Sequence, residues 1–101
     1  MIVQFSIVPL GKTPGIGDDV AKVLKIVDNS GLSYRITPMS TIVEGSWDDV
    51  MALIKKCHSI VLKSGERVVT SITIDDRKRR KNMMEEKIRS VEKRLGKSLR
   101  K

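Results

Sequence analysis

Apolar and polar residues alternate with a period of two at the start of the chain, where Val3, Phe5 and Ile7 stand against Gln4, Ser6 and Val8. This pattern predicts a strand with one face on a core and one mixed face. Pro9 and the Gly11 to Gly17 stretch break it. From about Asp18 the period changes: Val20, Val23, Leu24 and Val27 recur at helical spacing, and Gly31 supplies the left-handed stop. Two short extended runs follow, Tyr34 to Thr37 and Thr41 to Glu44, meeting at a break around Pro38 to Ser40. Pairing about a Met39-Ser40 centre sets Ile36 opposite Val43 and Arg35 opposite Glu44, so one face of the hairpin is apolar and the other charged. Ser46 with Asp49 three residues on is a capping-box pattern, and Val50, Leu53, Ile54, Cys57 and Val61 give the helix it opens a buried face. Gly65 ends that helix. Arg67 to Ile74 reads as a fourth strand, with Val68, Thr70, Ile72 and Ile74 on one side; Met84, Ile88, Val91 and Leu95 then mark a third amphipathic helix.

The predicted order is βαββαβ followed by a helix. Right-handed crossovers place both inner helices on one side of a four-stranded antiparallel sheet, an α+β ferredoxin-like architecture. We expect a single domain over residues 1–101, with a core at 1–76, a basic linker at 77–81 and a C-terminal helix and tail at 82–101. The other side of the sheet is left uncovered, presenting Gln4, Ser6, Arg35, Thr37, Ile42, Glu44, Val69, Ser71 and Thr73. That mixture carries too little charge for a pure solvent face and too much for a pure core, which suits a partly buried ligand site or a subunit interface.

Composition narrows the functional classes. With one Phe, one Trp and one Tyr in 101 residues, aliphatic packing must carry the stability. No apolar run approaches the ~20 residues of a membrane span, nothing resembles a signal peptide, and the expectation is a soluble cytoplasmic protein. The lone Cys57 excludes an intramolecular disulfide. The net charge of +8 is confined to one end: residues 1–76 hold 8 Lys or Arg against 9 Asp or Glu, whereas residues 77–101 hold 12 against 3. Arg77 to Lys81 could grip phosphates through counterion release, and a nucleic-acid-associated protein is therefore an alternative; a solvated linker and helix face is the favoured reading.

Catalysis finds little support. Cys57 and His58 are adjacent in a helix, so their side chains diverge by about 100° and do not form a nucleophile and base by spacing; Cys57 is expected in the core and His58 on the helix surface. Asp18-Asp19 and Asp75-Asp76 are adjacent carboxylates rather than a metal-ligand constellation. Lys12 to Asp18 is glycine-rich but lacks both the phosphate-loop ending and the full dinucleotide pattern. The exposed aromatics that an RNA-binding sheet needs are missing, since Phe5 belongs to the face toward the helices. Glu44 has two readings, as the cross-strand partner of Arg35 or as an acceptor for a ligand amine or cation, with Ser6, Thr37, Ser71 and Thr73 supplying hydroxyls around it.

Val8-Pro9-Leu10-Gly11, the run Tyr34 to Gly45, Trp47-Asp48-Asp49 and Ile74-Asp75-Asp76-Arg77, in that order, resemble the small thiamine-binding proteins related to YkoF, long carried as an uncharacterised protein family. The likeness spans residues 2 to 96. It implies a ferredoxin-like fold, assembly as dimers or tetramers, and binding of thiamine or its hydroxymethylpyrimidine moiety without catalysis or cofactor. Pro38, Met39, Thr41 and Glu44 match the family's hairpin motif, and strand alternation adds Ser6 and Ser71; with Thr37 these are the expected ligand residues. Ser40 stands where the motif more often has Gly. The expected function is thus a non-enzymatic binder in a homo-oligomer; alternatives are the nucleic-acid-associated protein and a structural oligomer with no small ligand.

Overall fold

A computed structural model of the chain describes residues 1–11, 16–78 and 83–96. Its elements are β1 (Ile2–Leu10), α1 (Ile16–Asn29), β2 (Ser33–Ile36), β3 (Thr41–Glu44), α2 (Trp47–Lys63), β4 (Arg67–Asp75) and α3 (Met83–Leu95). The four strands form one antiparallel sheet in the order β2-β3-β1-β4, the ferredoxin-like order with an added C-terminal helix. Of the basic run, Arg79 to Lys81 lie outside the described residues, as does Lys12 to Gly15 of the glycine-rich connection.

Local chemistry accounts for the element ends. Gly31 takes φ +79° just beyond α1, a conformation that costs a residue with a Cβ. Ser46 caps α2 by accepting the backbone N–H of Asp49 at 3.2 Å. The core forms where the two helices meet the sheet: Val3, Phe5 and Val43 pack with Val27 of α1 and with Val50 and Val61 of α2. Each of these buried apolar side chains contributes about 1.5–3 kcal/mol over an exposed one. Cys57 joins them at 0% exposure, its Sγ 4.0 Å from the carbonyl oxygen of Val23, and burial pushes its thiol up to about 11. His58 is half-buried rather than on the surface, because Nδ1 is hydrogen bonded to Thr70 Oγ1 at 2.7 Å beneath α2.

The hairpin register differs from the expected one. Ile36 faces Thr41 and Arg35 faces Ile42, while Glu44 lies opposite Ser33. The turn centres on Pro38-Met39 instead of Met39-Ser40, since Pro38 is preset for the first corner and Thr37 closes the loop. A slip of two residues keeps each side chain on its expected face, because strand alternation also has a period of two. Arg35, Ile42 and Glu44 therefore still share the open face with Gln4, Ser6, Ser71 and Thr73.

Unequal strand lengths shape the sheet. β1 pairs with β4 along its full length of 9 residues, but with β3 only from Ile2 to Phe5. Beyond Phe5 the hairpin side of β1 has no neighbouring strand, and a notch opens there. Pro9 falls within this stretch, where a residue lacking a backbone N–H is tolerated because one side of the strand is outside the ladder. α3 is held to the body by buried Met84 and by an ion pair between Lys87 and Asp75, yet Val91 and Leu95 are 46% and 55% exposed. Its apolar stripe is covered at one end alone.

Candidate functional site

The notch beside β1 is roofed by the hairpin turn and floored by the first half of α1, enclosing a cavity of about 240 Å³. Three kinds of surface line it. Val20, Val23, Leu24 and Val61 supply an aliphatic floor; Ser6, Ser40 and Thr41 bring hydroxyl-bearing residues to the sheet side; and Ile36, Pro38 and Met39 form the rim. Asp19 is the charged member among the described lining residues.

The turn over the cavity is held by its own first residue. Thr37 Oγ1 accepts the backbone N–H groups of Met39 at 3.2 Å and Ser40 at 3.0 Å and donates to the Ser40 carbonyl at 3.0 Å. The Thr37 N–H also donates to the Ser40 carbonyl, at 2.9 Å. A hydroxyl committed in this way fixes the backbone and is not available as a ligand contact. Met39, by contrast, is 85% exposed at the rim, a flexible thioether free to pack on whatever occupies the mouth.

Asp19 is 1% exposed. A carboxylate at such depth needs hydrogen bonds to offset its desolvation, and Ser64 at the end of α2 donates one to Oδ1 at 2.8 Å. Its position in the first turn of α1 is also favourable for a negative charge. The buried stripe of α1 thus runs through Asp19, Val23 and Val27, at steps of four, whereas Val20, expected on that stripe, is 47% exposed at the cavity wall.

The expected ligand residues divide into two groups. Ser6, Thr37, Pro38, Met39 and Thr41 come together around the cavity. Glu44 and Ser71 do not: Glu44 lies three positions farther along β3, roughly 10 Å away at strand rise, and Ser71 sits exposed on the open sheet face opposite Ser6. The carboxylate at the cavity is Asp19, which the sequence signals only as an acid four residues before Val23 on an apolar helix stripe. Cys57 and His58 face the core and β4, away from the cavity. Among the described residues no group of three His, Cys, Asp or Glu side chains gathers to hold a metal ion, and no helix is long and apolar enough to cross a membrane.

Comparison with known proteins adds an independent line. Residues 3–92 match the family described as thiamine-binding protein. The UPF0045 protein YqgV of Bacillus subtilis is 39% identical over 100 residues, covering 93% of this chain and 96% of the relative. The crystal structure of the hypothetical protein MJ1052 from Methanocaldococcus jannaschii superposes with a TM-score of 0.81 at 33% identity, over 89% of this chain and 93% of that one. A domain of unknown function from Bacillus cereus gives a TM-score of 0.78 at 32% identity, covering 86% and 85% of the two chains.

Proposed function

The chain belongs to the thiamine-binding protein family, and from that premise we propose that it binds thiamine or its hydroxymethylpyrimidine moiety, without turnover, as a cytoplasmic homo-oligomer. The observation that carries this reading is a mainly apolar cavity under the hairpin turn that bears the family likeness, with Ser40, Thr41 and the buried Asp19 among its lining residues. Its volume of about 240 Å³ falls just below the ~300–1,000 Å³ usual for drug-sized ligands. It therefore suits one ring of a two-ring molecule, the aminopyrimidine inside and the thiazolium at the mouth beside Met39. Aliphatic surface with a few polar residues suits recognition of a ring, and the thiol and imidazole of the chain stand apart from it.

Self-association is supported by apolar surface that one copy leaves uncovered. Val8 and Val69, paired across β1 and β4 on the open sheet face, are 44% and 43% exposed, and Val91 and Leu95 continue α3 beyond the body. Titration calorimetry with thiamine and with hydroxymethylpyrimidine tests the ligand: saturable heat with one site per chain is expected, and no heat at millimolar ligand overturns the reading. Native mass spectrometry tests the assembly, where a monomer alone at micromolar concentration would exclude the homo-oligomer.

A further inference from the structure

In an antiparallel ladder, a residue of a hydrogen-bonded pair turns both its N–H and its C=O toward one neighbouring strand, and the next residue turns both toward the other. The parity of β1 is set at its start. Met1 and Gly45 exchange both bonds, at 2.8 and 3.1 Å, so the main-chain groups of Met1, Val3 and Phe5 face β3. Those of Gln4, Ser6 and Val8 face β4, and the β1–β4 register runs to Leu10 without a bulge, so the alternation continues past the end of β3. Ile7 therefore turns its N–H and C=O into the notch. Pro9 turns a C=O there too, and its missing N–H falls on the side where no ladder bond is lost. The cavity gives independent support. Phe5, Ser6, Ile7, Val8 and Pro9 all line it, and because successive side chains take opposite faces, a cavity that touches five in a row meets the strand at its edge. Among the described residues, no hydrogen bond reaches Ile7 from outside the sheet ladders.

We propose that the main chain of Ile7 is the polar recognition element of this cavity, its N–H donating to a ring nitrogen of an aminopyrimidine and its C=O accepting from the adjacent exocyclic amine. The inference rests on the cavity being the pyrimidine site, and it gives that site its donor and acceptor. A ring nitrogen beside an amine repeats the acceptor and donor of the strand residue that β3 no longer supplies, so a planar ring extends the ladder by one rung. A further strand fits this edge poorly. Between Phe5 and Leu10, Ile7 alone turns a donor to this side, Pro9 has none, and the hairpin turn and α1 confine the space to about 240 Å³.

The test reads the Ile7 amide by NMR in the intact, isotope-labelled protein as hydroxymethylpyrimidine is added, which needs no variant to fold. Its proton is expected to move downfield to saturation, and its exchange with solvent to slow by about tenfold or more. Replacing Ile7 with its α-hydroxy analogue exchanges the N–H for an ester oxygen and keeps the side chain. Hydroxymethylpyrimidine should then bind about 5- to 20-fold more weakly, the loss that follows from an unmet acceptor, and the same ligand without its amine should lose a similar factor on the unmodified protein. Saturable binding that leaves the shift and exchange of the Ile7 amide unchanged overturns the assignment while the thiamine reading stands. So does a folded ester variant that keeps full affinity, or an Ile7 amide already protected before ligand is added, as pairing with a second copy of the chain would make it. Absence of binding by hydroxymethylpyrimidine and by thiamine at millimolar concentration instead removes the thiamine reading, and this assignment with it.

Discussion

The two ends of β3 are built on opposite plans. At the Thr41 end the chain turns back through bonds of its own making: Thr37 ties Met39 and Ser40, and the loop overhangs a cavity. At the Glu44 end the chain is stitched to distant partners. Gly45 donates to the Met1 carbonyl at 3.1 Å, the Met1 amino group donates back to the Gly45 carbonyl at 2.8 Å, and Leu32 and Val50 occupy the space beside Gly45. A turn that satisfies its own polar groups needs no tertiary support and can border an open space. The base has no such independence; its position is set by packing.

If that contrast is right, substitutions at the two ends should separate stability from binding. The largest effect is expected for Gly45→Val, since even a single Cβ there would stand 3.1 Å from Leu32 Cδ2 and 3.3 Å from Val50 Cγ2. Overpacking of this kind costs about 2–3 kcal/mol, read as a lower denaturant midpoint at constant slope, while thiamine affinity of the folded protein stays within about twofold. A variant as stable as the parent would show that the base is not close-packed.

Next comes a pH effect on the core beneath both ends. Burial raises the Cys57 thiol from an ordinary 9.0 to about 11. The folded state therefore holds this proton more tightly than the unfolded state. Its contribution is complete below pH 9 and is lost as pH climbs toward 11, by about 2 kcal/mol. Denaturation at stepped pH should show this decline in the parent and a flatter profile in Cys57→Val, which removes the titration that the lysines do not share.

At the tip, Thr37→Val removes the acceptor for two backbone N–H groups and should lower stability by about 1 kcal/mol. Thiamine affinity should fall by more, about tenfold, because the rim loses its shape. The reverse ordering, stability down and affinity unchanged, would break the contrast. Smallest is Lys87→Ala, on the surface at the Glu44 end, where Asp75 and Glu44 flank Ile2. Lys87 holds the exposed Asp75 carboxylate below its usual range through a hydrogen bond and its charge. The variant should move Asp75 up toward the ordinary carboxylate range in an NMR titration, with Arg77 and the N-terminal amine still lowering it, and change the unfolding midpoint little.

Much of the fold was legible because it depends on short-range pattern. Period-two alternation identified the faces of β1 and β4, and Ser46 and Gly31 marked helix ends whose capping geometry is local. Even the mistaken hairpin centre preserved every face, since its error was a whole period. Less of the candidate site was legible. Five expected residues cluster because they belong to one turn and the strands beside it, while Glu44 and Ser71 were grouped with them by shared sheet face, which carries no information about distance along a strand. Asp19 was passed over as half of an acidic pair, although its spacing from Val23 and Val27 placed it on the buried stripe.

The amino-acid pattern by itself determined the order of elements, the face each side chain takes and the caps that end the helices, because these follow from contacts within a few residues. Tertiary structure alone decided that β1 outruns β3, since a notch exists only once strands of different length are paired. It also decided that Asp19 is a buried acceptor, because the hydroxyl that helps hold it there comes from Ser64, 45 residues away. A carboxylate on a helix is ordinarily a solvated charge; the second helix, closing over it, makes it a wall of the cavity.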